Sequence, residues 1–250
     1  MPTLNLGRVM YGLSAVFLGF IGIVWRDFAG VWQPIDNLGV EFDRTVVATV
    51  YAIAFLASGI ATVIPRTARF GLPVLAVLHL LAAMGWIPRV IAHGAFNGFF
   101  EMLSLTVAAF VAYARLGTMS YDGAARTLQI GRIVFAICLL SFGVSHFISS
   151  AETARMVPAW LPGGQVVWAL ATGTLYVLAG FALIIQRHAW LSARLVTAMM
   201  LVIGVLVWVP MLIDKPIHYM WSGTAITFAL ATGAWVIADS FTPKRATNSR

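Results

Sequence analysis

Three ionisable side chains stand inside otherwise apolar runs of this 250-residue chain: His79, Glu101 and His146. A titratable group in hydrocarbon is costly, and it marks a functional position by default. His146 has the richest context. It lies in the run 142–150, Phe-Gly-Val-Ser-His-Phe-Ile-Ser-Ser, which leaves the apolar stretch through Glu152 and Arg155 and closes on a turn carrying Pro158, Trp160, Pro162, Gly163 and Gly164. A neutral imidazole there could hydrogen-bond a quinone carbonyl or a lipid headgroup, with Trp160 stacking above it.

Each of these residues also has a structural reading. On a helical wheel Cys138, Ser141, Phe142, Ser145 and Ser149 share a face, with His146 at its edge; Glu101, Ser104, Ala108 and Ala112 form a comparable face. Small polar faces of this kind let helices pack closely, and a histidine there can simply donate to a backbone carbonyl. His79, with Ala83 and Trp86 on its face, reads as a packed core histidine. The candidate ligand set is therefore His146, Glu101, Trp160 and Ser145.

Other chemistries lack their residues. The five histidines fall in separate segments with no pair at i, i+3 or i+4, so a metal or haem site would need assembly entirely by tertiary packing. Cys138 is the only cysteine, which rules out an internal disulfide, a C-x-x-C pair and a cysteine-based zinc cluster. No phosphate-binding loop, dinucleotide fingerprint or hydrolase elbow occurs.

The elements that must position these residues are long apolar segments. The chain is 60% hydrophobic and 10% charged with a mean hydropathy of +0.89, a membrane composition. Eight segments, 7–25, 45–64, 70–87, 95–114, 131–149, 166–185, 191–213 and 218–237, approach the roughly 20 residues a membrane-crossing helix needs. None alternates like a barrel strand, so the expected class is an all-α integral membrane protein with eight transmembrane helices. The first segment ends in Trp25-Arg26-Asp27 and carries no small-residue cleavage site, which reads as an uncleaved helix.

Lysine and arginine number 11 on the side shared by the two termini and 5 on the other, placing both termini in the cytoplasm. Scattered between apolar runs, these residues set topology; they do not form a nucleic-acid-binding face. Most acidic residues, and the aromatic turns at Trp32-Gln33-Pro34 and 158–162, fall in the outer loops. With this orientation Glu101 and His146 both lie near the outer ends of their spans and could share a pocket.

The halves resemble each other. Gly7-Arg8-Val9 matches Gly131-Arg132-Ile133 at a spacing of 124, which Gly19/Gly143 and Pro34/Pro158 keep. Gly59, Ile64 and Arg66 match Gly180, Ile185 and Arg187 at 121, and Trp86 and Pro88 match Trp208 and Pro210 at 122. The pattern is a tandem duplication. Four spans per half make it a parallel repeat, which disfavours an alternating-access transporter built on inverted halves. The expected units are a first four-helix bundle over 1–116, a cytoplasmic linker over 117–130, a second bundle over 131–240 and a cytoplasmic tail over 241–250.

The second half, with Gly143-Val-Ser-His146-Phe147, Val157-Pro-Ala-Trp160-Leu-Pro162, Tyr176-Val-Leu-Ala-Gly180 and Trp208-Val-Pro210, resembles the DoxX-like family of four-helix bacterial membrane proteins. In the first half Gly22 stands where His146 would be, so a site depending on that motif is expected in the second half alone. The resemblance implies a four-span fold and a bacterial inner-membrane location, and one branch of the family is associated with quinone-linked thiosulfate oxidation. The leading expectation is a non-catalytic module that binds a lipophilic small molecule, a lipid or a quinone, or that supports a redox or stress-response complex with a membrane or soluble partner. The alternative is a quinone-linked oxidoreductase subunit using His146 and Glu101 for proton handling; a small-solute transporter comes third.

Overall fold

The computed structural model describes residues 5–29 and 43–242. The Trp32-Gln33-Pro34 turn, Asp36, Glu41 and the basic residues Lys244, Arg245 and Arg250 lie outside them. The described residues form helices and connecting turns, with no strand among them. In order these are α1 (Leu6–Trp25), α2 (Arg44–Val63), α3 (Ala68–His93), α4 (Asn97–Ala114), α5 (Tyr121–Ile148), α6 (Ser150–Met156), α7 (Gln165–Ile184), α8 (Ala189–Ile203), a π-helical turn (Gly204–Trp208), α9 (Val209–Asp214) and α10 (His218–Asp239). Counting α8, the π turn and α9 as one, eight of them are long and apolar enough to cross a membrane.

Local chemistry sets the ends. Asn5 accepts from the Arg8 amide at 3.1 Å to start α1, and Asp43 accepts from the Thr45 amide at 2.8 Å to start α2. α3 does not stop at Ile87 as its apolar pattern suggests but continues past Pro88 to His93, where Gly94 turns left-handed at φ 64°. The segment 117–130, expected as a linker, is helical from Tyr121. Ser120 accepts from the Gly123 amide at 3.2 Å, Asp122 complements the first turn, and Ala124 and Ala125 are strong helix formers.

Neighbours in sequence are neighbours in space. α1 packs on α2, α2 on α3, α3 on α4, α4 on α5, α5 on α7, α7 on α8 and α8 on α10. α10 returns to α1 and also touches α4, so α4 and α10 each meet helices from both halves of the chain. Glycines allow the closest approaches. A Cβ on Gly19 would fall 2.6 Å from the Leu56 nitrogen, and one on Gly143 2.8 Å from the Gly173 oxygen, so α1/α2 and α5/α7 pack backbone to backbone.

The indole of Trp86 lies against Gly98, and that of Trp208 lies against Gly223. Pro210 cannot donate to a carbonyl one turn back, and the helix widens just before it: the Val209 amide reaches Gly204. At the end of α2 the buried Arg8 donates through Nη1 to the Thr62 and Val63 carbonyls, supplying cationic donors where helical partners run out.

Candidate functional site

His146 packs on a buried tyrosine, Tyr176 of α7. His146 lies in the last turn of α5 against Gly173 of α7; a Cβ on that glycine would stand 2.8 Å from the His146 Cβ. The missing side chain makes room for the imidazole. Its Nδ1 lies 2.9 Å from the Phe142 carbonyl, an oxygen that can only accept, so Nδ1 carries the proton and Nε2 presents a lone pair. The ring packs on Tyr176 at 5.3 Å between centroids, and Phe142 packs edge-on to the same tyrosine at 5.7 Å.

Glu101 comes from α4, in the other half of the chain. It is half-buried one turn into the helix. It makes no hydrogen bond or ion pair through its carboxyl group with any described residue; the Ser104 hydroxyl donates to its backbone oxygen at 2.7 Å. Ser104, Ala108 and Ala112 are buried, with Ala108 against Gly233 of α10, so that face packs through small residues. An imidazole and a phenol thus meet between α5 and α7, while Glu101 stands near the start of α4, which packs on α5.

The other two expected members differ. Trp160 does not cover His146: it is 69% exposed and no described ring packs on it. The reason is how the turn is held. Trp168 Nε1 donates to the Pro162 carbonyl at 2.7 Å, Gln165 Nε2 donates to Val157, and Gly163 and Gly164 take φ near 88° and 89°, which together leave Trp160 on the outside. Ser145 is half-buried beside His146, and its backbone carbonyl accepts from the Ser149 amide at 2.8 Å.

A second constellation lies among α1 to α4. His79 is 1% exposed, with Nδ1 2.8 Å from the Leu75 carbonyl and 3.2 Å from the Tyr11 hydroxyl. Tyr11 in turn donates to the Leu105 carbonyl at 2.8 Å, which leaves its oxygen as a second, more distant acceptor for the His79 Nδ1 proton. Phe55 meets the imidazole edge-on at 5.0 Å. His79 borders a small cavity that also touches Tyr51, Phe55, Met102 and, from α10, Ile226.

Tyr11, Tyr51 and Tyr176 escaped the sequence reading as site residues, although a phenol inside an apolar run is itself a signal, because its hydroxyl needs a partner. Among the described residues no group of three or more His, Cys, Asp or Glu side chains is placed to hold a metal ion. Outside the spans, Arg115 donates to the Thr242 carbonyl at 2.7 Å; burial lowers its pKa and the Asp239 charge opposes that shift.

Residues 135–232, from within α5 into α10, match a family model described as Domain of unknown function (DUF8561). No curated protein and no solved structure matches the chain.

Proposed function

We propose that this chain is a multi-pass membrane protein made by tandem duplication of a four-helix unit, and that its second bundle, completed by Glu101 from the first, binds a lipophilic molecule with a polar head. The observation that carries the reading is the packing of His146 on the buried Tyr176 between α5 and α7; the place of Glu101 beside them is part of the proposal. A carbonyl-bearing ring such as a quinone suits these groups: the phenol and a protonated carboxyl can donate to carbonyl oxygens, and the His146 lone pair can accept from a reduced hydroxyl.

Several details support the duplication. Gly98 and Gly223, each holding the indole of the preceding long helix, keep a spacing of 125. The step from 121 to 122 between the Gly59/Gly180 and Trp86/Trp208 pairs is a one-residue insertion, and the π turn Gly204–Trp208 is where α8 can absorb one. Shifting Glu101 by 125 gives Ile226, which borders the cavity among α1 to α4. Glu101 then occupies the matching position in the second bundle. Gly22 opposite Ala52 becomes His146 opposite Gly173 at spacings of 124 and 121, an exchange of sizes that opens space for the imidazole. The family match, confined to 135–232, fits a unit of that size.

The charge bias supports cytoplasmic termini, and the DoxX-like resemblance supports a bacterial inner-membrane location and a redox or stress-response setting. A quinone-linked oxidoreductase subunit is the second reading, favoured by a carboxyl and an imidazole near one ring-binding position, a pair suited to moving protons. The test is native mass spectrometry with lipid and quinone extraction on detergent-purified wild type, Glu101→Gln and His146→Ala. Retention of one lipophilic molecule by wild type and its loss in both variants is the expected result; equal retention in all three would contradict the site.

A further inference from the structure

We propose that the end of the bundle where α10 finishes holds the phosphate headgroup of an anionic phospholipid on Arg115 and Arg132.

The last residues of α10 and the turn after it gather arginines from three other helices. Arg194 of α8 donates through Nη2 to Asp239 at 2.7 Å, its guanidinium 5.8 Å from the ring centre of Trp190 and 5.7 Å from that of Trp235. Arg132 of α5 donates through Nε to the Ser240 hydroxyl at 2.9 Å and through Nη2 to the Ser240 carbonyl, and it lies 4.0 Å over the Phe241 ring. Arg115, just past α4, donates through Nη1 to the Thr242 carbonyl at 2.7 Å. Ser240 and Thr242 are two residues apart, a span of at most about 7 Å, so the two guanidinia are anchored at neighbouring points.

Capping the end of α10 accounts for cations at this place, since open carbonyls attract them. It does not use their donors up. A guanidinium has five N–H groups, and these bonds take one from Arg115 and two from Arg132. Among the described residues no acceptor meets Arg115 Nε or Nη2 or Arg132 Nη1, and none of these nitrogens is among the buried atoms left without a partner, so they open outward. The charge is uneven as well. Asp239 is paired with Arg194, and neither Arg115 nor Arg132 forms an ion pair with a described residue. The sequence places Lys244 and Arg245 within three residues of Thr242.

Two planar forks, each already fixed by its other bonds, suit phosphate oxygens better than they suit a point charge. The level suits a lipid. These arginines stand at the ends of membrane-length helices, and the neighbouring Trp190 is exposed, as aromatic residues at headgroup depth are. Basic sites between helix ends are where anionic headgroups bind.

The inference rests on the membrane-spanning reading and not on the Glu101 and His146 site. The test is native mass spectrometry of the detergent-purified full chain titrated with dioleoylphosphatidylglycerol or dioleoylphosphatidylcholine. Wild type should bind the first phosphatidylglycerol at least about tenfold more tightly. Each cation near a headgroup is worth about fivefold, so Arg115→Gln with Arg132→Gln should weaken phosphatidylglycerol binding roughly 25-fold and leave phosphatidylcholine unchanged. Arg66→Gln with Arg69→Gln, which removes the same charge from exposed positions between α2 and α3, should keep the preference. Equal losses in the two double variants, or a wild type that needs detergent yet prefers neither lipid, would overturn the proposal. Displacement of the lipid by an equal concentration of glycerol 3-phosphate would also overturn it, making this a site for a soluble anion. If the Arg115 and Arg132 double variant does not fold, a photoactivatable phosphatidylglycerol decides on wild type alone: label within 115–132 and 235–242 is expected, and label only elsewhere would refute the site.

Discussion

Gly223→Ala should destabilise the protein, and Gly233→Ala, ten residues along the same helix, should not. A Cβ on Gly223 would lie 1.9 Å from Cζ3 and 2.3 Å from Cη2 of Trp208. Carbon atoms rest at about 3.5 Å, so the indole would have to retreat by roughly 1.6 Å. It is a rigid plate mounted on the π turn, and overpacking of this kind costs about 1–3 kcal/mol. Replacing a helical glycine by alanine returns about 0.5–1 kcal/mol, leaving a net loss of up to about 2.5 kcal/mol. At Gly233 the nearest atoms are Leu105 Cδ2 at 3.3 Å and Ala108 Cβ at 3.5 Å, close to ordinary contact. There the helix gain prevails, and stability should be unchanged or higher by up to about 1 kcal/mol. The assay is equilibrium unfolding in mixed micelles followed by far-ultraviolet circular dichroism, with near-ultraviolet signal reporting the indole environment. If Gly223→Ala were as stable as Gly233→Ala and left the aromatic signal unchanged, Trp208 would not rest on that glycine.

Tyr11→Phe removes the 2.8 Å bond to Leu105 and should cost about 0.5–1.5 kcal/mol by the same unfolding assay, in line with interhelical hydrogen bonds in membranes. Arg8→Met uncaps the Thr62 and Val63 carbonyls and should cost about 1.5–3 kcal/mol, whereas Arg8→Lys, which keeps the charge, should lose less. Trp160→Ala should change stability by no more than about 0.5 kcal/mol, since that side chain stands in the open. In a Cys138→Ser background, Trp160→Cys should react with a membrane-impermeant maleimide added to intact cells; labelling only after lysis would reverse the orientation proposed from the charge count.

The eight apolar helices were legible in composition and run length because hydrocarbon selects strongly for both. What local sequence missed depends on contacts between distant segments. Gly173 looks like any small residue in an apolar run, and only its position opposite His146 shows why it lacks a side chain. Trp160 seemed poised over the imidazole because it follows it in the chain, but the bonds from Trp168 and Gln165 to the turn hold it outside. The helix at 121–130 was hidden by Gly123 and the polar residues Ser120 and Asp122, which read as linker until their capping role is seen. His79 was legible as a core histidine; the cavity it borders was not, since that arises from the packing of five helices, α1 to α4 and α10.

The central claim, that Glu101 of the first half completes a site in the second, is tested most directly by photolabelling the full-length protein with an azido-quinone and mapping the modified peptides. Label is expected on both α4 and α7, near Glu101 and Tyr176, displaced by unlabelled quinone and lost in His146→Ala. Label confined to α1–α3, or spread without competition over lipid-facing surfaces, would contradict it.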